Sequence, residues 1–473
     1  MSSDAPLPVD WSKHISSKTG KPYWFNKRTN ESRYEAPEEA PPAKRARPDD
    51  TNTAAAAPGA ARSTALGVGA AYSALPSDAA RGGRGARAFS RTRHLRAFQN
   101  WVKAVLISTY APRPCARVLD LACGRLGDLA KWRLAGARDV CGVDIASESL
   151  RDACGRVATD RNANSALKLR LVRADLGATD LEGAGVLAKN EKFDAISCQM
   201  AVHYFFQSER RALTFFKNIA GRLTPGGVFL GTTTDSNVLV RRVRDAAAKA
   251  ANASALTASP VTFGNALFRV RFDAEAVEAQ WALGGSPYGC RYNFWLADSV
   301  EDSVTTAGGE GGGGGGGGGS NATESASGID EYLVPYILLE RLARAAGLEP
   351  VARENFHDFF KKYNQDPTSR ALLGKMGVLD IEGSLGSDEW EVAGLYRIFV
   401  FRAPLLAPAV STSTPPADVL PPMSQLVMHD DDNGGDDDDM KSVRRVPEER
   451  SPLVGKVFIS TDDIIDLIGE EED

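Results

Sequence analysis

The sequence contains few of the residues from which disulfide frameworks and metal clusters are built. Only six of its 473 residues are cysteine, and five are histidine. No two cysteines form a CxxC pair, so the composition argues against a zinc cluster and favours a reduced, intracellular protein. Long apolar runs are also missing, because no stretch approaches the roughly 20 residues of a membrane span or the core of a signal peptide. We therefore expect a protein with no metal site and no membrane partner.

The charge is distributed unevenly along the chain. The net charge at neutral pH is −5, which by itself gives no reason to expect a nucleic-acid partner. Residues 403–473, however, hold 17 acidic and 5 basic residues, so this tail carries −12 and the rest of the chain carries +7. A basic body of this kind suits the binding of an RNA end, whose phosphates are negatively charged.

A glycine-containing turn followed by an acidic residue is the most informative pattern. Val118–Asp128 reads as an apolar strand that ends in Asp120 and continues into a turn at Gly124. Asp144 follows Gly124 after twenty residues. Glycine lets the backbone approach a ligand, and an acid at the end of the next strand can accept from ribose hydroxyls. The pattern predicts a nucleoside-binding βαβ unit, with a packing turn without ligand as the alternative. Ala122 stands where a dinucleotide site would prefer glycine.

Further strands and helices alternate along the chain. Leu169–Asp175 and Phe193–Gln199 are short, apolar and end in polar residues, which predicts two strands whose carboxyl ends face a ligand. Ala212–Leu223 has the spacing of an amphipathic helix that Pro225-Gly226-Gly227 stops, and a strand from Val228 follows. With the loop, these units resemble class I S-adenosylmethionine (AdoMet)-dependent methyltransferases. The resemblance implies an α/β, Rossmann-like fold with a mostly parallel seven-stranded sheet, and AdoMet as the cofactor.

Several segments outside the loop resemble the messenger-RNA cap (guanine-N7) methyltransferase family. They are Phe98–Ile107, Gln199–Tyr204, Phe263-Gly264-Asn265, Tyr288–Tyr292, Glu331–Val334, and Glu389-Trp390 with Tyr396. They occur in the family's order, so the resemblance implies a catalytic domain over residues 71–402. It also implies the activity, which is transfer of a methyl group from AdoMet to N7 of the guanosine cap (GpppN) of nascent messenger RNA, the capped 5' end.

The resemblance assigns the site residues. The AdoMet positions are Lys103, Ala122, Asp144, Asp175, Gln199 and Tyr204. The cap positions are Gln99, Asn100, Arg125, Lys131, Arg156, His203, Glu331 and Tyr396. The cations among them suit the triphosphate bridge, and Glu331 can accept from the guanine N1–H and exocyclic amine. No side chain is expected to act directly on the methyl group, because guanine N7 has a lone pair and no proton, and catalysis then depends on proximity and orientation.

Local sequence alone gives some of these residues other roles. Glu331 precedes the apolar stretch Tyr332–Leu342, which predicts a helix whose N-terminus favours an acid. Lys131 and Arg156 read locally as surface charges. The family usually has glycine where this chain has Leu126, and we expect this leucine to require a negative φ and to add bulk beside the ligand.

Residues 5–38 resemble a WW domain, which implies a three-stranded, all-β module. The matching residues are Leu7-Pro8, Trp11, Gly20, Tyr23–Asn26, Thr29, Tyr34 and Pro37. Tyr23 and Tyr34 would form the groove for a polyproline ligand, weakened because Tyr34 replaces the second signature tryptophan. The first loop, Ser16–Lys21, has the length seen in WW domains that bind phosphorylated Ser-Pro. This implies a partner such as the RNA polymerase II C-terminal tail.

Three segments connect or follow these modules. Residues 39–70 read as a disordered linker whose basic cluster at 41–48 is typical of nuclear import, so we expect a nuclear protein. Residues 298–328 read as a flexible Gly-rich insertion, and 403–473 as a disordered acidic tail. Near its end, Thr461–Ile468 has the capping residue and apolar spacing of a partner-docking helix, with an unbound disordered end as the alternative.

Two other functions remain open from the sequence. The first is AdoMet-dependent methylation of another RNA or of a small molecule, which would not require Glu331 or Tyr396. The second is an inactive adaptor that acts through its WW domain, for which Leu126 in the cofactor loop is the supporting residue.

Overall fold

A computed structural model of the chain describes eleven stretches of the sequence. They are residues 11–15, 22–26, 32–33, 69, 90–159, 167–251, 260–273, 286–298, 328–380, 383–405 and 464–466. The chain divides into two units, Met1–Ala60 and Ala61–Asp473.

The first unit contains a three-stranded antiparallel sheet. Its strands are β1 (Trp11–Ile15), β2 (Pro22–Asn26) and β3 (Ser32–Arg33), in the order β1-β2-β3. Tyr23 lies in β2, opposite His14 of β1. This small antiparallel sheet is the architecture predicted for a WW domain, whereas Tyr34 lies outside the described residues.

The second unit alternates strands and helices. Its helices are α1 (Arg93–Tyr110), α2 (Leu129–Ala135), α3 (Ser147–Thr159), α4 (Glu209–Lys217), α5 (Ser236–Ala251), α6 (Tyr336–Ala345), α7 (Phe356–Tyr363), α8 (Pro367–Lys375) and α9 (Ser387–Ala393). Its strands are β4 (Arg117–Leu121), β5 (Asp139–Asp144), β6 (Lys168–Arg173), β7 (Phe193–Gln199), β8 (Leu223–Thr234), β9 (Val261–Gly264), β10 (Phe268–Phe272), β11 (Arg291–Leu296), β12 (Ile329–Tyr332), β13 (Glu349–Asn355), β14 (Tyr396–Arg402) and β15 (Ile464–Asp466). A 3₁₀ helix spans Val202–Gln207.

The central sheet is doubly wound and mostly parallel. Its strand order is β13-β14-β8-β7-β4-β5-β6-β15, and β14 alone runs against the other strands, pairing antiparallel with both β13 and β8. Seven of these strands make the sheet that the sequence predicts for a class I methyltransferase. The order in which strands are added to the sheet reverses at β4, because β5 lies on one side of it and β7 on the other. Ligands of open α/β sheets bind at the carboxyl ends of strands near such a point.

Alternate residues of the parallel strands pack into two different apolar cores. Val118 of β4 belongs to one core with Trp101 of α1 and Trp132 of α2. The next residue, Leu119, belongs to a second core with Phe215 of α4. Successive side chains of a strand point to opposite faces, so the sheet is buried on both sides, as a parallel sheet between helices requires.

A second, antiparallel sheet was not predicted from the sequence. It has four strands in the order β12-β11-β10-β9, and their buried residues alternate with half-buried ones, as Phe268, Val270 and Phe272 show in β10. The sheet brings Glu331 of β12 opposite Tyr292 of β11. It therefore supplies two residues of the site described below.

Three predictions of local secondary structure were wrong. Glu331 does not precede a helix but lies inside β12, and helix α6 begins after Pro335. Pairing with β11 holds this segment extended, and a proline is well tolerated at a helix start. The helix predicted over 212–223 is the shorter α4, and Pro225-Gly226-Gly227 lies within β8.

The third error concerns the C-terminal segment. The predicted helix at Thr461–Ile468 is replaced by strand β15, which pairs in parallel with β6. Two consecutive isoleucines favour an extended backbone, and the edge of β6 offers hydrogen-bonding partners that an isolated short helix would not have. The sheet therefore has eight strands.

Two features are absent from the described residues. No helix in these parts of the chain has the length and apolarity to cross a membrane. No group of three or more histidine, cysteine or acidic side chains in the same parts is arranged to hold a metal ion.

Candidate active site

The loop between β4 and α2 has an unusual backbone. Ala122, Gly124 and Leu126 all have positive φ angles, of 55°, 50° and 53°. The expectation that Leu126 requires a negative φ was therefore wrong. Non-glycine residues rarely adopt this conformation, and it persists only where surrounding contacts impose it. Leu126 is buried in the core, and this packing holds the loop in shape.

Asp144 fixes the loop from the neighbouring strand. Its Oδ2 accepts from the backbone N–H of Gly124 at 2.7 Å, and its Oδ1 accepts from that of Ala146 at 2.8 Å. The carboxyl group is buried. Burial raises its pKa, and the backbone hydrogen bonds oppose this effect. The carboxylate is thus oriented before any ligand arrives.

A cavity opens at the carboxyl ends of β4, β5 and β6. It is lined by Ala122, Asp144, Ile145, Ala174, Asp175, Leu176, Tyr204, Phe205, Gln207, Arg211 and Tyr332. Four of the six predicted AdoMet residues are in this set, namely Ala122, Asp144, Asp175 and Tyr204. The walls between the two acids are mostly apolar, which suits an adenosine group, because the flat base needs apolar faces and the ribose hydroxyls need an acceptor.

Asp175 is held by an arginine that sequence reasoning missed. Arg211 of α4 donates from Nη1 and Nη2 to the two carboxylate oxygens, at 2.9 and 2.8 Å. Such a bidentate pair fixes the plane of the carboxylate. Asp175 therefore presents a defined edge to the cavity. The pair joins α4 to the segment that follows β6 across 36 residues of sequence, which no local pattern shows.

The other two predicted AdoMet residues, Lys103 and Gln199, are not among the residues that line the cavity. Lys103 of α1 contacts Asp128 with its Nζ at 3.0 Å. Gln199 ends β7, where its Oε1 accepts from Thr232 Oγ1 at 3.0 Å and its Nε2 donates to Ser197 Oγ at 3.3 Å. Gln199 is thus fixed at a strand end and Lys103 at the start of α2, although neither lines the cavity itself.

Asp128 also contacts a predicted cap residue. Lys131 Nζ lies 2.6 Å from Asp128 Oδ1 and 3.2 Å from Asn100 Oδ1. Burial raises the pKa of Asp128, but Lys103 and Lys131 outweigh it, so the pKa of this carboxyl lies below its usual value. Lys131 therefore joins Asn100, another predicted cap residue, to the cofactor loop.

Two further cations lie on the same side of the loop. Arg125 pairs through Nε with Asp152 at 3.1 Å, and Arg156 Nη1 donates to the carbonyl oxygen of Arg125 at 3.1 Å. Together with Lys103, Lys131 and Asp128, these side chains carry a net charge of +2. A cluster of this kind suits a polyphosphate, because the two carboxylates hold the cations in place and neutralise only part of their charge.

The predicted cap residues His203 and Glu331 meet in the interior. His203 Nε2 lies 3.4 Å from Glu331 Oε1, and both side chains are at most 6% exposed. Burial lowers the pKa of His203 to about 3, so this contact involves a neutral imidazole. Neither ring nitrogen makes a hydrogen bond within the described residues. A buried imidazole in this state has hydrogen-bonding capacity left for a ligand.

Glu331 is oriented by a tyrosine that was not predicted as a site residue. The Tyr292 hydroxyl donates to Glu331 Oε2 at 2.6 Å and lies 2.9 Å from Thr234 Oγ1. Tyr396 begins β14 directly opposite Thr234, and its ring packs against Phe294. The predicted cap residue Tyr396 therefore belongs to the same group. The remaining one, Gln99, is half-buried on α1 next to Asn100.

Two pairs of neighbouring residues connect the cavity with the set His203, Tyr292, Glu331 and Tyr396, which we call the Glu331 group. Tyr204 lines the cavity, whereas its neighbour His203 faces Glu331. Likewise, Tyr332 lines the cavity while Glu331 faces Tyr292. The rings of His203 and Tyr204 lie 4.3 Å apart at an angle of 63°. The cavity and the Glu331 group therefore share one wall, and ligands of the two would be neighbours.

Comparison with known proteins gives the family. Residues 61–304 and 321–403 match the family described as "mRNA (guanine-N(7))-methyltransferase domain", and residues 7–37 match "WW domain". A protein named "mRNA cap guanine-N(7) methyltransferase 1" from Oryza sativa subsp. japonica is 35% identical over 318 residues, covering 65% of this chain and 74% of that protein. Its namesake from Arabidopsis thaliana is 33% identical over the same shares. The "mRNA cap guanine-N(7) methyltransferase" of Schizosaccharomyces pombe is 29% identical over 67% of this chain and 77% of its own length. Since the first match covers more than half of the sequence, the chain belongs to the mRNA (guanine-N7)-methyltransferase family of AdoMet-dependent enzymes and carries a WW domain.

Proposed function

We propose that this chain methylates N7 of the guanosine cap of nascent messenger RNA, with the residues described above as its two binding sites. The observation that carries the proposal is the wall shared by the cavity and the Glu331 group, built by His203-Tyr204 and Glu331-Tyr332. A reaction between two bound substrates gains most from holding them side by side.

The cavity residues fit AdoMet. Asp144, already fixed by Gly124 N–H, offers carboxylate lone pairs to the ribose hydroxyls, and Asp175 offers an acceptor to the adenine amine. When bound, AdoMet supplies an electrophilic methyl group. Guanine N7 has a lone pair and no proton, so no residue of this chain has to act as a base. Its residues bind and orient instead.

Glu331 is the residue we assign to recognition of guanine. Its carboxylate can accept from N1–H and from the exocyclic amine, a pair of donors that adenine lacks. Tyr292 holds one oxygen, and the neutral His203 lies beside the other. Burial of the carboxylate strengthens such discrimination, because a base without these donors would give the buried charge fewer hydrogen bonds and no water to replace them. Arg125, Lys131 and Arg156 would contact the triphosphate.

The test is transfer of labelled methyl groups from AdoMet to three substrates: GpppN-capped RNA, uncapped RNA and the free cap dinucleotide. Capped substrates alone should be labelled. Labelling of uncapped RNA would favour a different RNA substrate. Absence of transfer from a chain that binds AdoMet would favour the adaptor.

A pair of glutamate variants separates the two sites. Glu331→Ala should lose turnover on GpppN and keep its affinity for AdoMet. The matched control is Glu340→Ala on α6, where the half-buried glutamate pairs with Arg344. Loss of AdoMet binding together with turnover in Glu331→Ala would make Glu331 a folding residue.

We further propose that the WW domain, which suits proline-rich peptides, binds phosphorylated Ser-Pro repeats such as those of the RNA polymerase II tail, in the nucleus. The support is the family match over residues 7–37, the antiparallel sheet β1-β2-β3 and the basic cluster at 41–48. In this organisation, residues 5–38 recruit the enzyme and residues 71–402 catalyse. Fluorescence of a tagged chain, with and without alanines at Lys44, Arg45 and Arg47, tests the nuclear assignment.

A further inference from the structure

The C-terminal strand β15 covers the edge of the catalytic sheet. It runs parallel to β6, with Ile464 opposite Leu171, Ile465 opposite Val172 and Asp466 opposite Arg173. An uncovered edge would present a row of unpaired backbone N–H and C=O groups. Here β15 supplies partners from a part of the chain that lies beyond the catalytic family match, which ends at residue 403.

The register places this strand next to the cofactor cavity. In the register of the sheet, Arg173 of β6 lies opposite Asp466 of β15 on one side and opposite Asp144 of β5 on the other. Immediately after β6, Ala174, Asp175 and Leu176 line the cavity. Arg173 also reaches the cavity wall, because its Nε donates to the carbonyl oxygen of Ile145 at 3.4 Å. One strand therefore separates β15 from the acid that we assign to the ribose.

The charges of the two segments are complementary. Strand β6 has the sequence Lys168-Leu-Arg-Leu-Val-Arg173, with three basic residues among six. The segment around β15 contains Asp462, Asp463 and Asp466 and no basic residue from 457 to 473. An acidic strand is therefore favoured over a neutral or basic one at this edge.

We propose that the edge of β6 is a docking site for an extended apolar and acidic strand, that Ile464–Asp466 is its occupant, and that strand docking and AdoMet binding stabilise each other. Both events restrain the carboxyl end of β6, so each lowers the conformational entropy that the other must overcome. Linkage then requires the effect to be reciprocal. The proposal rests on the AdoMet site and not on the identity of the methyl acceptor.

Hydrogen exchange and calorimetry on the full chain test both parts. The variant Ile464→Pro/Ile465→Pro removes two backbone N–H groups and prevents regular pairing. Its matched control, Leu453→Pro/Val454→Pro, makes the same change upstream in the tail. A second variant, Asp466→Lys, reverses the charge and leaves the backbone donors in place. The ligand is S-adenosylhomocysteine, the demethylated cofactor.

Docking predicts faster exchange in peptides covering β6 for both variants and not for the control. Coupling predicts a loss of about fivefold in S-adenosylhomocysteine affinity, the size expected for one net hydrogen bond of about 1 kcal/mol. It also predicts slower exchange of residues 464–466 in the unaltered chain when S-adenosylhomocysteine is added.

Unchanged exchange of β6 in the proline variant would overturn the docking site. Faster exchange with unchanged ligand affinity would overturn the coupling. Neither measurement uses RNA, so both outcomes are independent of whether the cap is the substrate.

Discussion

The hydroxyl of Tyr292 lies 2.6 Å from Oε2 of Glu331, between that carboxylate and the hydroxyl of Thr234. Burial, with the nearby charge of Glu331, raises the pKa of Tyr292 well above its usual value, so the phenol keeps its proton and donates it to the carboxylate. Tyr292 is thereby a positioning residue for the carboxylate that we assign to guanine recognition.

Removing only this hydroxyl should impair cap turnover. In Tyr292→Phe, Glu331 loses a hydrogen bond to a charged group, an interaction of about 1.5–3 kcal/mol, so kcat/KM for GpppN should fall at least about tenfold. Affinity for S-adenosylhomocysteine should not change. Tyr363→Phe is the matched control, because it likewise removes a tyrosine hydroxyl that makes a hydrogen bond, in this case to Tyr110. A fall in ligand affinity as large as the fall in kcat/KM would instead indicate a folding role for Tyr292.

Asp144→Ala should chiefly weaken AdoMet binding. The substitution removes a carboxylate that accepts from Gly124 N–H and is available to the ribose, so we expect a loss of about 1.5–3 kcal/mol in binding free energy by calorimetry. Asp139→Ala is the control, since Asp139 lies at the other end of β5 from Asp144 and pairs with Arg117. Undiminished affinity in Asp144→Ala would place the cofactor elsewhere.

These residues differ in how far the sequence could predict them. Asp144 and its loop form a local pattern, because a strand, a turn and a second strand end lie within about thirty residues of each other. The Tyr292–Glu331 contact could not be read in this way, since it depends on the pairing of β11 with β12 across a separation of 39 residues. Family resemblance supplied Glu331, but no pattern indicated that Tyr292 would orient it.

The conformational errors have the same origin. Leu126 would adopt a negative φ if its own preference decided, yet its side chain is buried in the core, and the loop follows that packing. The isoleucines of Ile464–Asp466 have apolar spacing compatible with a helix, but a strand edge was available in the fold. In both cases tertiary contacts overrode the local preference.

Asp120 should make stability depend on pH. Burial, then the neighbouring Asp128, raises the pKa of Asp120 to about 7 from an ordinary value of 3.8. The folded chain therefore holds this proton more tightly, and the stability that it contributes is full below pH 4 and lost as the pH rises towards 7. Asparagine cannot ionise. The unfolding free energy of Asp120→Asn relative to the unaltered chain should thus rise from pH 4 to pH 8 by a few kcal/mol, measured by urea denaturation without ligand. A difference that does not vary with pH would contradict the buried, protonated carboxyl.

The WW domain should bind its ligand weakly. Tyr34 offers a smaller stacking surface than tryptophan, so we expect dissociation constants on the order of tens of micromolar or weaker for doubly phosphorylated Ser-Pro repeats. Tyr34→Trp should tighten binding and Tyr23→Ala should abolish it, in calorimetric titrations. Removal of residues 1–70 should leave cap methylation in solution unchanged. Equal affinity for phosphorylated and unphosphorylated repeats would exclude phosphate recognition and leave the WW assignment intact.

His203 should remain uncharged throughout the physiological pH range. Burial lowers its pKa to about 3, below the ordinary value of 6.5, so between these values the unfolded chain binds a proton that the folded chain does not. Its contribution to stability is therefore present above pH 6.5 and is lost as the pH falls towards 3. The imidazole resonances, assigned by their absence in His203→Gln, should show no titration between pH 5 and 8 by NMR. A midpoint between pH 6 and 7 would mean that His203 is charged at pH 5, where it lies 3.4 Å from Glu331. The neutral imidazole that we place beside the Glu331 carboxylate would then have to be abandoned.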